Sequence, residues 1–224
     1  MEKVKTILLN KGIYSDNDAE AEKLRRELKK DGVFLINVMS SPGAGKTTTL
    51  ISLINRLKTR LNVGVMEADI DYDIDAVRVA ERTGCKSVQL HTGGMCHLDA
   101  SMTRQGLEEL GYKGLDIVFL ENVGNLVCPA EFDTGAHLDI MILSVPEGDD
   151  KPLKYPLVFR KCGLVIINKT DALTYFDFDM EKCRRNILDR NPQAEVIPVS
   201  AKRGDGMAEL EQFFINKING KEKT

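Results

Sequence analysis

Short apolar runs punctuate the chain at 33–39, 63–66, 87–90, 117–120, 140–145, 164–167 and 196–199. Runs this short, apolar without alternation and bounded by polar residues, predict strands buried on both faces. Between most of them apolar residues return every third or fourth position, at 75–82, 99–110, 178–189 and 206–218, which predicts amphipathic helices. Strands alternating with helices mean a mostly parallel sheet covered on both faces, so the fold class is α/β. Ligands of such sheets bind beyond the carboxyl ends of the strands. Ahead of the first run, 1–14 is weakly patterned. Asp16 and Asn17 can cap a helix to about residue 30, with sparse apolar positions (Ala19, Leu24, Leu28) and Gly32 as a stop. The chain thus divides into a leader helix (1–32), a main domain (33–219) and a polar tail (220–224). The leader is a charged helix packed on the domain or, alternatively, a docking arm for a partner.

The first strand runs directly into Ser40-Ser41-Pro42-Gly43-Ala44-Gly45-Lys46-Thr47-Thr48, followed by Leu50, Leu53, Ile54 and Leu57 at helical spacing. Strand, Gly-rich turn and helix are the setting of a phosphate-binding P-loop, G-x-x-x-x-G-K-[ST]. Backbone N–H groups and the positive helix end capture anionic oxygens, and glycine lets the chain approach them closely. Lys46 is placed to reach the β- and γ-phosphates and the Thr47 hydroxyl to ligate Mg²⁺. Ser40 stands where the pattern has its first glycine.

Composition narrows the reading. At 224 residues and a formal charge of −3, the chain is long enough for a sizeable core and shows no basic footprint for nucleic acid. No apolar run is long enough to cross a bilayer and the start has no apolar signal region, so a cytoplasmic protein is expected. Five cysteines, an odd number, point to buried thiols or metal ligands before disulfides.

Two elements resemble the base-reading loops of GTP-binding proteins. Asn168-Lys169-Thr170-Asp171 follows the strand at 164–167 and is similar to NKxD. The Asp171 carboxylate can accept from guanine N1–H and the 2-amino group, two donors adenine lacks. Lys169 would lie along the base and Asn168 tie the loops together. Ser200-Ala201-Lys202 follows the strand at 196–199 and resembles the SAK loop. The run at 116–121 ends in Glu121, where many such proteins carry Asp, and Gly124 follows. A carboxylate there can hold Mg²⁺ through its water shell, and the Gly124 N–H can meet the γ-phosphate. In the acidic run 69–75, Asp69 or Asp75 can approach the magnesium or orient the attacking water. Asn125 follows Gly124 where a water-positioning glutamine is common, so intrinsic hydrolysis is expected to be slow. A P-loop small-molecule kinase is the alternative, and the guanine elements count against it.

Cys96 and His97 sit together between a strand and a helix, and Cys128 lies four residues beyond Gly124. Two thiolates and an imidazole suit Zn²⁺ or Ni²⁺, and three ligands leave a coordination position open. There is no C-x-x-C pair, and free cysteines are also common as buried apolar residues. Cys85, Cys162, Cys183, His91 and His137 read as structural.

With these residues in view, the chain from 33 onward resembles the HypB family, P-loop GTPases that assist nickel insertion into [NiFe]-hydrogenase. The segments that carry the resemblance are Cys96-His97-Leu98-Asp99-Ala100, Glu121 to Ala130 and Glu147-Gly148-Asp149-Asp150. The resemblance implies a metal site on Cys96, His97 and Cys128, with GTP/GDP, Mg²⁺ and Ni²⁺ or Zn²⁺ as cofactors. It also implies a homodimer formed with GTP, Lys154 reaching the partner's nucleotide, and delivery through a nickel accessory protein to the hydrogenase large subunit. A urease-type nickel accessory GTPase is the other reading. Its metal motif is Cys-Pro-His, whereas Cys128-Pro129 is followed here by Ala130. With three histidines the chain has no His-rich stretch for nickel storage.

Overall fold

A computed structural model describes residues 5–8, 17–69 and 74–220. In chain order the elements are β1 (Lys5–Leu8), α1 (Asn17–Lys30), β2 (Phe34–Ser40), α2 (Lys46–Leu57), β3 (Val63–Asp69), α3 (Ile74–Thr83), β4 (Lys86–His91) and α4 (Ala100–Leu110). There follow β5 (Ile117–Glu121), α5 (Cys128–Glu131), β6 (Leu138–Ser144), α6 (Lys151–Lys154), α7 (Pro156–Lys161), β7 (Leu164–Asn168), α8 (Met180–Leu188), β8 (Glu195–Pro198) and α9 (Met207–Asn219). The eight strands form one sheet in the order β1-β4-β3-β5-β2-β6-β7-β8. Every neighbouring pair is parallel.

Burial on both faces explains the unalternating apolar strands. In β2, Ile36 and Val38 join a core with Leu50 and Ile54 of α2 and Phe214 of α9. Leu35 belongs to a second core with Leu24 and Leu28 of α1 and Met102 and Leu107 of α4. Met39 belongs to a third with Phe159 of α7, Cys162 and Cys183 of α8. Phe119 and Phe214 meet edge to face at 5.6 Å across the first core, an arrangement the ring quadrupoles favour.

The helix over Asn17–Lys30 forms as the pattern predicts, with one correction: Ala21, not Ala19, shares the buried stripe with Leu24 and Leu28. Positions 21, 24 and 28 follow the three-and-four spacing of one helix face, and 19 falls off it. Around that stripe Arg104 of α4 donates to Glu20 at 2.5 Å and Glu27 at 2.6 Å, and Arg25 forks onto both oxygens of Asp133 at 2.8 and 2.9 Å. The α1 helix is therefore fastened to the sheet by both packing and charge. β1, unforeseen in the weakly patterned start, pairs with β4 at the sheet edge. His137 is structural as expected: its Nδ1 accepts from Leu35 N–H at 3.1 Å and its ring stacks on Phe34 at 5.2 Å. Within the acidic run 69–75, residues 70–73 lie outside the described residues.

Among the described residues no helix is long and apolar enough to cross a membrane.

Candidate functional site

The turn after β2 opens at the centre of the sheet, where the chain leaves β2 between β5 and β6. Gly45 takes a φ of +96°, and a Cβ there would stand 2.6 Å from Asn168 Nδ2, so only glycine lets the two loops close up. Asn168 uses both ends of its amide. Its Nδ2 donates to Ala44 C=O at 2.9 Å, and its Oδ1 accepts from Ala201 N–H at 3.2 Å. The base-reading loops and the phosphate loop are thereby one unit. Lys169 is the one non-glycine among the described residues with positive φ, at 62°, and its ammonium donates to Gly43 C=O at 2.7 Å. Strain of that kind persists where surrounding contacts hold it. The Ser200 hydroxyl donates to Asp171 Oδ1 at 2.6 Å, and that bond holds the Asp171 carboxyl below its usual range. Lys202 is exposed on the same loop.

Ser40 has a definite task. Its hydroxyl donates to Ser41 C=O at 2.6 Å and accepts from Lys46 Nζ at 3.0 Å, giving the phosphate-binding ammonium an internal partner. Thr47 Oγ1 donates to Glu121 Oε1 at 3.2 Å. Gly124 lies against the loop: a Cβ on it would come within 3.2 Å of Pro42 Cγ. Beneath it Asn122 donates to Asn37 Oδ1 at 3.0 Å, and Asn37 donates to Asp139 Oδ1 at 2.8 Å. These bonds link the residue after β5 to the middle of β2 and the start of β6.

A cleft of about 430 Å³ opens beside the loop, lined by Gly43, Gly45, Lys46, Thr47 and Thr48, by Asp69 and Asp75, and by Glu121 and Gly124. All these sequence-predicted residues are brought together. Asp75 is paired with Arg78 at 3.1 Å. Among the wall residues that escaped the sequence reading are two buried polar ones, Glu67 and Gln89. Glu67 is 3% exposed and stands opposite Glu121, 5% exposed, in the β3–β5 register. Burial, reinforced by the Glu121 charge, pushes the Glu67 carboxyl well up, and burial raises Glu121 against the pull of Lys46. The signal was present, since a carboxylate inside an otherwise apolar strand is unusual without a partner or ligand.

The loops after β4 and β5 meet beyond the end of β3. Cys128 lies close enough to Cys96 to raise the pKa of the Cys96 thiol. Cys96 Sγ is 4.0 Å from His97 Nδ1. Asp99 caps α4 by accepting from Met102 N–H at 2.8 Å, which fixes where the Cys-His turn ends. His97 is 8% exposed and stacks on Phe132 at 3.7 Å, 7° from parallel. Among the described residues no three His, Cys, Asp or Glu side chains are grouped as a ready-made ion cage. The two sulfurs are assembled, and the imidazole is held beside them by the aromatic ring. Cys85 and Cys128 are partly exposed, whereas Cys162 and Cys183 are buried.

A parallel sheet with a Gly-rich phosphate loop at its centre and guanine-type loops bonded to it defines a P-loop nucleotide-binding protein. Residues 34–198 match the family described as CobW/HypB/UreG, nucleotide-binding domain. The hydrogenase maturation factor HypB of Rhizobium leguminosarum bv. viciae is 45% identical over 207 residues, 92% of this chain and 69% of that relative. The crystal structure of HypB from Helicobacter pylori in complex with nickel superposes with a TM-score of 0.86 at 37% identity, covering 92% of this chain and 96% of that one. HypB from Archaeoglobus fulgidus gives a TM-score of 0.85 at 35% identity, over 92% of this chain and 100% of that one. The chain belongs to the CobW/HypB/UreG family and, within it, to the HypB hydrogenase maturation factors.

Proposed function

We propose that this chain is a GTP-hydrolysing metallochaperone that carries nickel for insertion into [NiFe]-hydrogenase. The observation that carries the reading is the approach of Cys128 to the Cys96-His97 turn, seven residues after Glu121 and four after the glycine packed on Pro42. Guanine is selected by the Asp171 carboxylate, held ionised by Ser200. The phosphates lie in the turn Gly43 to Thr48, and Lys46 moves from Ser40 to the phosphate oxygens. The buried oxygens of Glu121 and the Thr47 hydroxyl suit a hard, oxygen-seeking Mg²⁺, which would neutralise phosphate charge as the γ-phosphate departs. Asp69 and Asp75 line the same cleft and serve to orient the attacking water; Asn125 in place of a glutamine keeps turnover slow.

Nickel, or zinc in competition with it, is cargo at Cys96, His97 and Cys128. A γ-phosphate draws the Gly124 N–H toward it, and the short segment from Gly124 carries Cys128 along. Hydrolysis releases that pull and alters the grip on the metal. Such coupling requires the metal to bind the two nucleotide states with different affinity. A homodimer formed with GTP, with Lys154 facing the partner's nucleotide, completes the open coordination position; an accessory protein and the hydrogenase large subunit receive the ion. In the single chain Lys154 pairs with Asp150 at 2.6 Å on its own helix, an exposed and easily exchanged contact.

The test is metal stoichiometry by equilibrium dialysis. Cys128→Ala should lose the stoichiometric nickel or zinc bound by the parent and keep GDP binding. Full stoichiometric metal on Cys128→Ala contradicts the site.

A further inference from the structure

Glu67 and Gln89, which stand in a row with Glu121, are not used by the mechanism above. The three residues stand opposite one another on β5, β3 and β4, and all line the cleft beside Lys46 and Thr47. Gln89 is 0% exposed and neither end of its amide has a partner; Glu67 and Glu121 are buried side by side with their carboxyls hydrogen-bonded to each other. A buried amide or carboxylate left unpaired is costly, and native cores avoid it unless something external satisfies it. Here both ends of the Gln89 amide are unpaired, beside a pair of buried carboxyls that line the same cavity. The nearby cations make no direct bond to them: Lys46 is bonded to Ser40 and Arg78 to Asp75.

We propose that Glu67, backed by Gln89, is a positioning residue of the magnesium site, accepting hydrogen bonds from ion-bound waters that Glu121 alone leaves unheld. Waters on Mg²⁺ are strong donors and the ion keeps several of them, so a buried acceptor wall suits the hydrated ion better than a second direct ligand. The charge of a bound ion favours the ionised form of Glu67, and that carboxylate takes two such donors. The amide of Gln89 adds an acceptor for a water and a donor for the second oxygen of Glu67. The assignment rests on the nucleotide reading above, since the ion is the one that accompanies GTP or GDP.

The experiment uses the full chain loaded with GDP, with Mn²⁺ in place of Mg²⁺ followed by electron paramagnetic resonance. Removing a partner that orients metal ligands commonly lowers metal affinity tenfold or more. Glu67→Gln, close to isosteric, should therefore weaken Mn²⁺ binding by about tenfold or more, with GDP affinity in excess chelator changed less than about twofold. Gln89→Leu should weaken Mn²⁺ binding in the same direction while leaving the ion-free protein no less stable to heat. A merely structural pair predicts no change in Mn²⁺ affinity in either variant. Unchanged affinity in both overturns the proposal; should Glu67→Gln not fold, Gln89→Leu decides alone. If the parent chain binds no GDP, the nucleotide reading falls and this assignment with it, a result distinct from GDP binding with unchanged Mn²⁺ affinity.

Discussion

Ser40 and Ser200 each give a charged side chain its resting position, one at either end of the nucleotide cleft. Ser40 accepts from Lys46, so the serine that interrupts the glycine pattern offers the ammonium a partner that phosphate oxygens can replace. Ser200 donates to Asp171 and keeps that carboxylate charged and oriented. Selectivity for guanine belongs to this residue scale. Hydrogen bonds to a charged acceptor contribute about 1.5–3 kcal/mol, so Asp171→Asn should lose roughly tenfold to a hundredfold in GTP affinity. Competition between GTP and ATP for the parent and variant checks it: the variant should lose discrimination, and an unchanged preference for GTP would contradict the role of Asp171. Lys46, Thr47, Asn168 and Asp171 were all legible in the sequence, because each lies in a contiguous motif whose spacing is the chemistry. Glu67 was not. Its charge cut the apolar run short at Met66 in the reading, although β3 continues to Asp69. Its partners Glu121 and Gln89 come from other strands, and only pairing brings the row together.

The sheet elements differ in how plainly the chain announces them. Seven strands, β2 to β8, were readable as short apolar runs. β1 was not: it covers four residues at an edge and pairs on one side only. α5, α6 and α7 run four to six residues and carry Pro at their first positions, too short for a helical period to emerge. The layer of α7 and α8 on β6 and β7 carries its own prediction. Burial pushes the Cys162 thiol well up and Cys183 to about 12, against an ordinary thiol value of 9.0. The unfolded chain releases these protons above about pH 9, and the native layer retains them. Their contribution is thus fully present below about pH 9 and is lost as pH rises toward about 12. Each retained proton steepens the fall by about 1.4 kcal/mol per pH unit. Denaturant unfolding across this alkaline range should give Cys183→Ala a shallower loss of stability than the parent, whatever the substitution does at neutral pH. Equal slopes would mean that Cys183 titrates alike in both states.

At the scale of the whole molecule, strand order joins two chemistries. β2 lies between β5 and β6 and delivers the phosphate loop to the middle of the sheet. β4 and β5 flank β3 and deliver Cys96 and Cys128, which meet over its end. The segment from Glu121 to Cys128 belongs to both places, bonded to Thr47 at one end and close to Cys96 at the other. Neither cysteine spacing nor local pattern reveals that meeting, because the parallel crossovers create it. The proposed consequence is a metal site whose affinity depends on the nucleotide bound. Nickel titration of the full chain, loaded in one sample with GDP and in the other with a non-hydrolysable GTP analogue, measures this directly. The account predicts different affinities in the two states, by about fivefold or more, the lower end of ordinary coupling free energies. Identical affinities in both states would contradict it.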